Sequence, residues 1–200
     1  IMIVVLVPDR TLVRQWNDEL ESFGFDNCVT SSKTSWKSDL RSQLRQLELV
    51  DEKQFSVFVS TIASAYSGSE DTRAIDELIR AKKTNHKLKM LLIADEAHEF
   101  GAPQAKQTLL EEFDYRLALS ATLENIYDPK RTEELQKYFE GSITEISLKD
   151  AIEKYKTLVP YRYEPIIVEV TPEEAEHYEK LSDRISQLYA RRGHDNWSDF

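Results

Sequence analysis

Four short apolar runs punctuate the chain, at residues 1–7 (IMIVVLV), 55–59 (FSVFV), 90–94 (MLLIA) and 115–119 (YRLAL). None alternates cleanly with polar residues, which is the pattern of strands covered on both faces. Helical spacing fills the gaps between them. Leu12, Trp16, Leu20 and Phe23 recur at steps of four, four and three, and Trp36, Leu40, Leu44 and Leu47 repeat the same steps. Ala74, Ile75, Leu78 and Ile79 mark a third helix. A fourth opens at Pro103, a residue suited to a first helical turn, with Ala105, Leu109, Leu110 and Phe113 turned inward.

Strands alternating with helices predict an α/β fold built from parallel βαβ units, with right-handed crossovers and ligands gathering at the carboxyl ends of the strands. Past Thr122 the texture changes. ENIYDPKRTEELQKYFEG reads as a loop and a short amphipathic helix, 143–146 as a short strand, 148–155 as a helix and 161–170 (YRYEPIIVEV) as a new strand. Thr171 and Glu174 then fit a capping box, with Pro172 at the first helical position. Tyr178, Leu181, Ile185 and Leu188 form the apolar stripe of that helix, and Arg191, Arg192 and Gly193 suit its end. The best domain boundary lies near 157–163.

Composition narrows the picture without changing it. The 200 residues are 40% hydrophobic and 31% charged, enough for a packed core in one large domain or one domain plus part of another. The net charge is −10 and no quarter of the chain is basic, so diffuse attraction to nucleic acid is not expected; any such contact must be local. The single cysteine, Cys28, cannot form an internal disulfide, which favours a reducing, intracellular compartment. No apolar stretch approaches a membrane span, so no membrane partner is expected. The apolar opening lacks the basic leader and cleavage site of a signal peptide and reads as a strand entered part-way, as in a fragment of something longer.

Each predicted strand runs straight into small polar or charged residues: Asp9-Arg10-Thr11, Ser60-Thr61, Asp95-Glu96 and Ser120-Ala121-Thr122. In a parallel sheet these ends share one edge. Of two adjacent carboxylates, one can hold a Mg²⁺ through water while the other orients or deprotonates an attacking water. The bland alternatives stand beside this. An Asp-Glu pair after a strand also fits a solvated turn or a helix cap, a Ser-Ala-Thr tripeptide caps helices widely, and Asp9 most simply caps the helix running to Phe23. His86, His177 and His194 show no ligand spacing, and Trp16 and Trp36 sit at core spacing.

The order of the pieces goes further. VLVPDRTLVRQW, VFVSTIASA, LLIADEAHEF and LALSATLEN, in that sequence, resemble the first motor domain of superfamily 2 helicases, nearest the DEAH members grouped with XPB-like repair helicases and restriction-enzyme motor subunits. Residues 8–16 stand where motif Ia stands, 59–65 where motif Ib stands, 95–98 match motif II and 120–122 match motif III. The tail LVPYRYEPIIVEVTPEEAEHYEKLS resembles the passage into a second motor domain. The resemblance implies a RecA-like parallel sheet with helices on both faces. It divides the chain into an incomplete first motor domain (1–125), its end and a linker (126–162) and the start of a second (163–200).

The resemblance also implies roles. Asp95 would bind the Mg²⁺ of MgATP, Glu96 would position the hydrolytic water and His98 would couple hydrolysis to the second motor domain. Ser120 and Thr122 would link the nucleotide to the nucleic-acid track. Arg10, Thr11, Ser60 and Thr61 would touch backbone phosphates of one strand, of DNA more readily than RNA, reading shape rather than sequence. One departure concerns motif Ia, where the family commonly has Thr or Ser after the proline and this chain has Asp9, an anion that caps a helix but repels phosphate.

A phosphate cradle needs glycines followed by lysine and a hydroxyl. None of Gly24, Gly68, Gly101, Gly141 and Gly193 precedes a lysine, so the Walker A pattern is not among these residues. By the family layout it is expected upstream of Ile1, and the arginine motifs of the second motor domain beyond Phe200. The leading expectation is therefore a piece of an ATP-dependent helicase or translocase, inactive by itself. A degenerate motor-like domain that docks protein or DNA, and a metal-dependent phosphodiesterase using Asp95, Glu96 and His98, are the alternatives.

Overall fold

A computed structural model describes residues 1–25, 28–49, 55–69, 72–121 and 129–192. The chain forms two compact units, the first spanning Ile1–Ile143 and the second starting at Thr144.

The first unit is built on β1 (Met2–Val7), β2 (Cys28–Thr30), β3 (Ser56–Thr61), β4 (Met90–Asp95) and β5 (Tyr115–Leu119), joined in the order β2-β3-β1-β4-β5. Every neighbouring pair is parallel, so all the carboxyl ends lie on one edge. The helices are α1 (Arg10–Ser22), α2 (Trp36–Leu49), α3 (Ile62–Tyr66), α4 (Ala74–Thr84), α5 (Pro103–Lys106) and α6 (Pro129–Phe139), with a 3₁₀ turn at Ala97–Gly101 between β4 and α5. The expected α/β sheet with helices on both faces is present.

Strand residues divide between two cores by the two-residue period of the pleat. Met2, Val4 and Leu6 of β1, with Phe58, Met90 and Leu92, face α2, α4 and α6 through Leu40, Leu44, Leu78 and Leu135. Trp36 opens α2 by stacking on Phe58, centroids 5.5 Å apart. Val5, Val7, Val57 and Val59 face the other way, against Val13, Leu12, Trp16 and Leu20 of α1. Alpha-1 ends where Gly24 takes φ 82°, a conformation that costs glycine nothing, and the Phe25 N–H closes back on the Leu20 carbonyl at 3.0 Å.

The α1 face is covered unevenly. Leu91 and Ile93 of β4 pair in register with Tyr115 and Leu117 of β5, and Asp95 pairs with Leu119, so all six share this face. Tyr115, Leu117 and Leu119 are 55%, 46% and 37% exposed.

At the amino edge Asp114 closes the sheet. It accepts hydrogen bonds from Lys82 Nζ at 2.6 Å, from Lys89 Nζ at 2.9 Å and from the Met90 N–H at 2.9 Å. Burial alone would push this carboxyl up, but the two ammonium groups and the amide outweigh it and hold Asp114 well below the usual carboxylate range.

Several expectations are corrected. The helix from Pro103 stops after four residues, because the Thr108 N–H and hydroxyl both return to the Ala105 carbonyl, at 2.9 and 2.7 Å, and close a tighter turn. Leu110 and Phe113 are nonetheless buried, as expected. Strand β2 was not anticipated. Neither 143–146 nor 161–170 forms a strand. No described segment pairs with 161–170, and Ile166 and Ile167 are 88% and 89% exposed. The second unit does contain α7 (Leu148–Glu153) and α8 (Pro172–Arg192). The Thr171–Glu174 capping box forms reciprocally. The Thr171 N–H and hydroxyl donate to Glu174 Oε2 at 2.9 and 2.8 Å, which lowers the Glu174 pKa, and the Glu174 N–H donates to Thr171 Oγ1 at 3.3 Å.

Candidate active site

The carboxyl edge of the sheet assembles the polar strand ends. Val7 lies in register with Thr61, Leu6 with Ala94 and Asp95 with Leu119, so the chain leaves β1, β3, β4 and β5 side by side. Asp95 is the last residue of β4 and Ser120 follows β5 directly.

Between Asp95 and the 3₁₀ turn stands Glu96, at φ 50° and ψ 52°. Only Glu96 and Lys156, among the described non-glycine residues, take a positive φ. A side chain is seldom held in this region without a reason, and such residues gather at functional sites. The turn that follows brings His98 back toward β5. His98 Nδ1 lies 3.1 Å from Ser120 Oγ and 3.4 Å from Glu96 Oε2, and its Nε2 is 3.4 Å from Glu99 Oε1. His98 thus bridges the acidic turn after β4 and the polar turn after β5.

The Asp95 carboxylate is held from two sides. Its Oδ1 accepts the Glu96 N–H at 3.0 Å, and its Oδ2 accepts Trp16 Nε1–H of α1 at 2.8 Å. Trp16 belongs to the apolar α1 core, as its spacing predicts, but it also carries this polar contact. Nothing local in the sequence signals it.

Arg131 of α6 is the other residue that local reasoning misses. Its Nη2 donates to the carbonyls of His98 at 2.7 Å and Glu99 at 3.2 Å. The arginine passes so close to Gly101 that a Cβ there would stand 1.8 Å from Nε. Glycine at 101 is required for that approach. Alpha-6 is itself fixed to β5: Arg116 stacks 4.0 Å from the Tyr138 ring centroid and donates to the Tyr138 carbonyl at 2.9 Å, while the Tyr138 hydroxyl donates to the Leu110 carbonyl at 2.7 Å. Burial raises the Tyr138 pKa, so the hydroxyl remains a donor.

The remaining predicted residues separate into two groups. Arg10 and Thr11 are exposed in the first turn of α1, where Asp9 Oδ1 caps the helix by accepting the N–H groups of Thr11 at 2.6 Å and Leu12 at 3.0 Å. Ser60 and Thr61 are buried. Ser60 Oγ donates to the Thr61 carbonyl at 3.0 Å, and Thr61 Oγ1 caps α3 by accepting the Ser64 N–H at 3.0 Å. Thr122 lies outside the described residues.

Among the described residues no group of three or more histidines, cysteines or acids is arranged to hold a metal. A single carboxylate at a strand end suits Mg²⁺, which keeps most of its waters and takes phosphate oxygens as further ligands, but it does not suit an ion held by protein alone.

A family model described as "Type III restriction enzyme, res subunit" matches residues 2–125. No curated protein matches the chain. Among solved structures the chain is similar to a de novo designed protein described as having the P-loop NTPase fold, with 14% identity over 69% of this chain and 90% of that one and a TM-score of 0.35.

Proposed function

The chain belongs to the family of type III restriction enzyme res subunits, and from that premise we propose that it is the interior of an ATP-dependent helicase or translocase acting on nucleic acid. The family supports a helicase-like, NTP-driven motor. The finer reading is carried by one observation: Asp95, Glu96, His98 and Ser120 converge at one edge of a wholly parallel sheet, with Glu96 held at a positive φ.

In this reading Asp95 would hold the Mg²⁺ of MgATP, Glu96 would orient the attacking water and accept its proton, and His98 would carry the state of Glu96 to Ser120. When bound, MgATP supplies the phosphoryl group whose transfer to water drives opening and closing of two motor domains. Arg10 and Thr11 are the exposed groups offered to backbone phosphates, of DNA more readily than RNA. Ser60 and Thr61 already use their hydroxyls within the chain, so the contact rests on the first pair. Residues 1–125 form most of a first motor domain, and the second begins near 163. The 200 residues contain no GxxxxGK[ST] pattern, so the chain alone does not hydrolyse ATP.

Replacing Glu96 by Gln in the polypeptide that carries this chain tests the reading. Turnover falls by roughly 10²–10⁴-fold while MgATP still binds. Unchanged turnover removes Glu96 from its role, and an unmodified polypeptide that turns over no ATP favours the docking-module alternative. A titration of the isolated chain with a fluorescent ATP analogue shows no micromolar binding.

A further inference from the structure

A buried indole N–H usually finds an acceptor, and here the acceptor is a carboxylate at the end of a strand. Trp16 sits in the α1 core, 79 residues from Asp95 in sequence, yet its Nε1–H reaches Asp95 Oδ2 at 2.8 Å. The other oxygen is tied to the Glu96 amide at 3.0 Å. Together the two bonds fix both the torsion and the tilt of the carboxylate. Metal-ligating carboxylates are commonly oriented in this way by outer hydrogen bonds, which are stronger when the acceptor is charged. Each carboxylate oxygen retains a second lone-pair direction, so neither bond blocks a metal-bound water.

We propose that Trp16 is a positioning residue for the metal-binding carboxylate: its indole N–H holds Asp95 in the orientation that receives the hydrated divalent ion. This rests on the reading of Asp95 given above. The bland alternative is that Asp95 merely satisfies a half-buried indole, with no effect on metal.

Two measurements on the ¹⁵N-labelled 200-residue chain decide the matter. The first uses the indole resonances of Trp16, Trp36 and Trp197, with Trp16→Phe identifying the first. In Asp95→Asn the Trp16 indole proton moves while that of Trp36 stays. An unmoved Trp16 resonance means the bond does not exist in solution and overturns the proposal. The second uses MnCl₂ alone as a paramagnetic probe. Mn²⁺ broadens the Glu96 amide and the Trp16 indole at concentrations that leave Trp36 sharp, and Asp95→Asn abolishes that selectivity. In Trp16→Phe, which keeps an aromatic ring but no donor, broadening of Glu96 requires about tenfold more Mn²⁺. Equal Mn²⁺ dependence in Trp16→Phe and the unmodified chain, with Asp95→Asn still abolishing the effect, overturns the role of Trp16 and leaves the metal reading intact. Broadening of Glu96 that persists in Asp95→Asn overturns the metal reading, and the proposal with it.

Discussion

Glu96 holds a conformation that costs a side-chain-bearing residue roughly 1–2 kcal/mol, because its Cβ crowds the following carbonyl. Glu96→Gly relieves that crowding. The urea midpoint of the isolated chain should rise by the equivalent of about 1 kcal/mol, while any function of the carboxylate is lost. An unchanged or lowered midpoint would show that the conformation is stabilised by contacts of the side chain itself. Gly101 behaves in the opposite sense. Gly101→Ala drives a methyl into Arg131, which must leave the His98 and Glu99 carbonyls, so a loss of about 1–3 kcal/mol is expected in the same measurement. At this scale the strand-end places of Asp95, Glu96 and Ser120 and the Asp9 cap were legible, because each stands next to a strand or helix whose period announces it. Trp16 and Arg131 were not. Their bonds span 79 and 33 residues, and a side chain's distant partner leaves no mark on local spacing.

Helices α1, α2 and α4 follow the apolar spacing that announced them. Leu40, Leu44 and Leu47 are the buried stripe of α2, and Ile75 and Leu78 serve α4 in the same way. What escaped was short. Strand β2 is three residues and α3 is five, too few for either period to repeat. The error at 161–170 has another cause. Alternation and β-branched residues describe a willingness to pair, but a strand also needs a neighbour. The joint between α4, β4 and β5 illustrates how elements are held rather than formed. Asp114 is depressed in the folded chain, so its stabilising contribution is complete above the unfolded carboxylate value of about 3.9 and is lost as pH falls below it. Thermal melts between pH 2 and 7 should therefore show the unmodified chain losing its advantage over Asp114→Asn in the acidic arm. A gap of constant size across that range would mean that the Lys82 and Lys89 pairs contribute nothing through charge.

At the scale of the whole molecule, the first unit's sheet has one well-covered face and one that is covered only in part. Beside Asp95 the side chains of Tyr115, Leu117 and Leu119 lie open on β5, which among the described residues is also an edge strand with one side free of pairing. An exposed apolar edge invites pairing with another chain, and natural edges are blunted by lysine. The isolated chain should therefore associate in the micromolar to millimolar range, and Leu117→Lys should raise its monomer fraction in sedimentation velocity. A single monomeric species for both would count against the edge as the cause. The parallel sheet and its helical cover followed from the alternation of strand and helix patterns, but the strand order did not. The open half-face did not, because periodicity records which side of a strand is apolar and not whether anything lies against it.

That bare patch also governs handling. Loss by self-pairing needs two molecules to meet, so its pace follows collision frequency rather than the unfolding rate of either one. Dilution prolongs the working life of a sample, and gentle warming short of melting, which strengthens apolar attraction, shortens it.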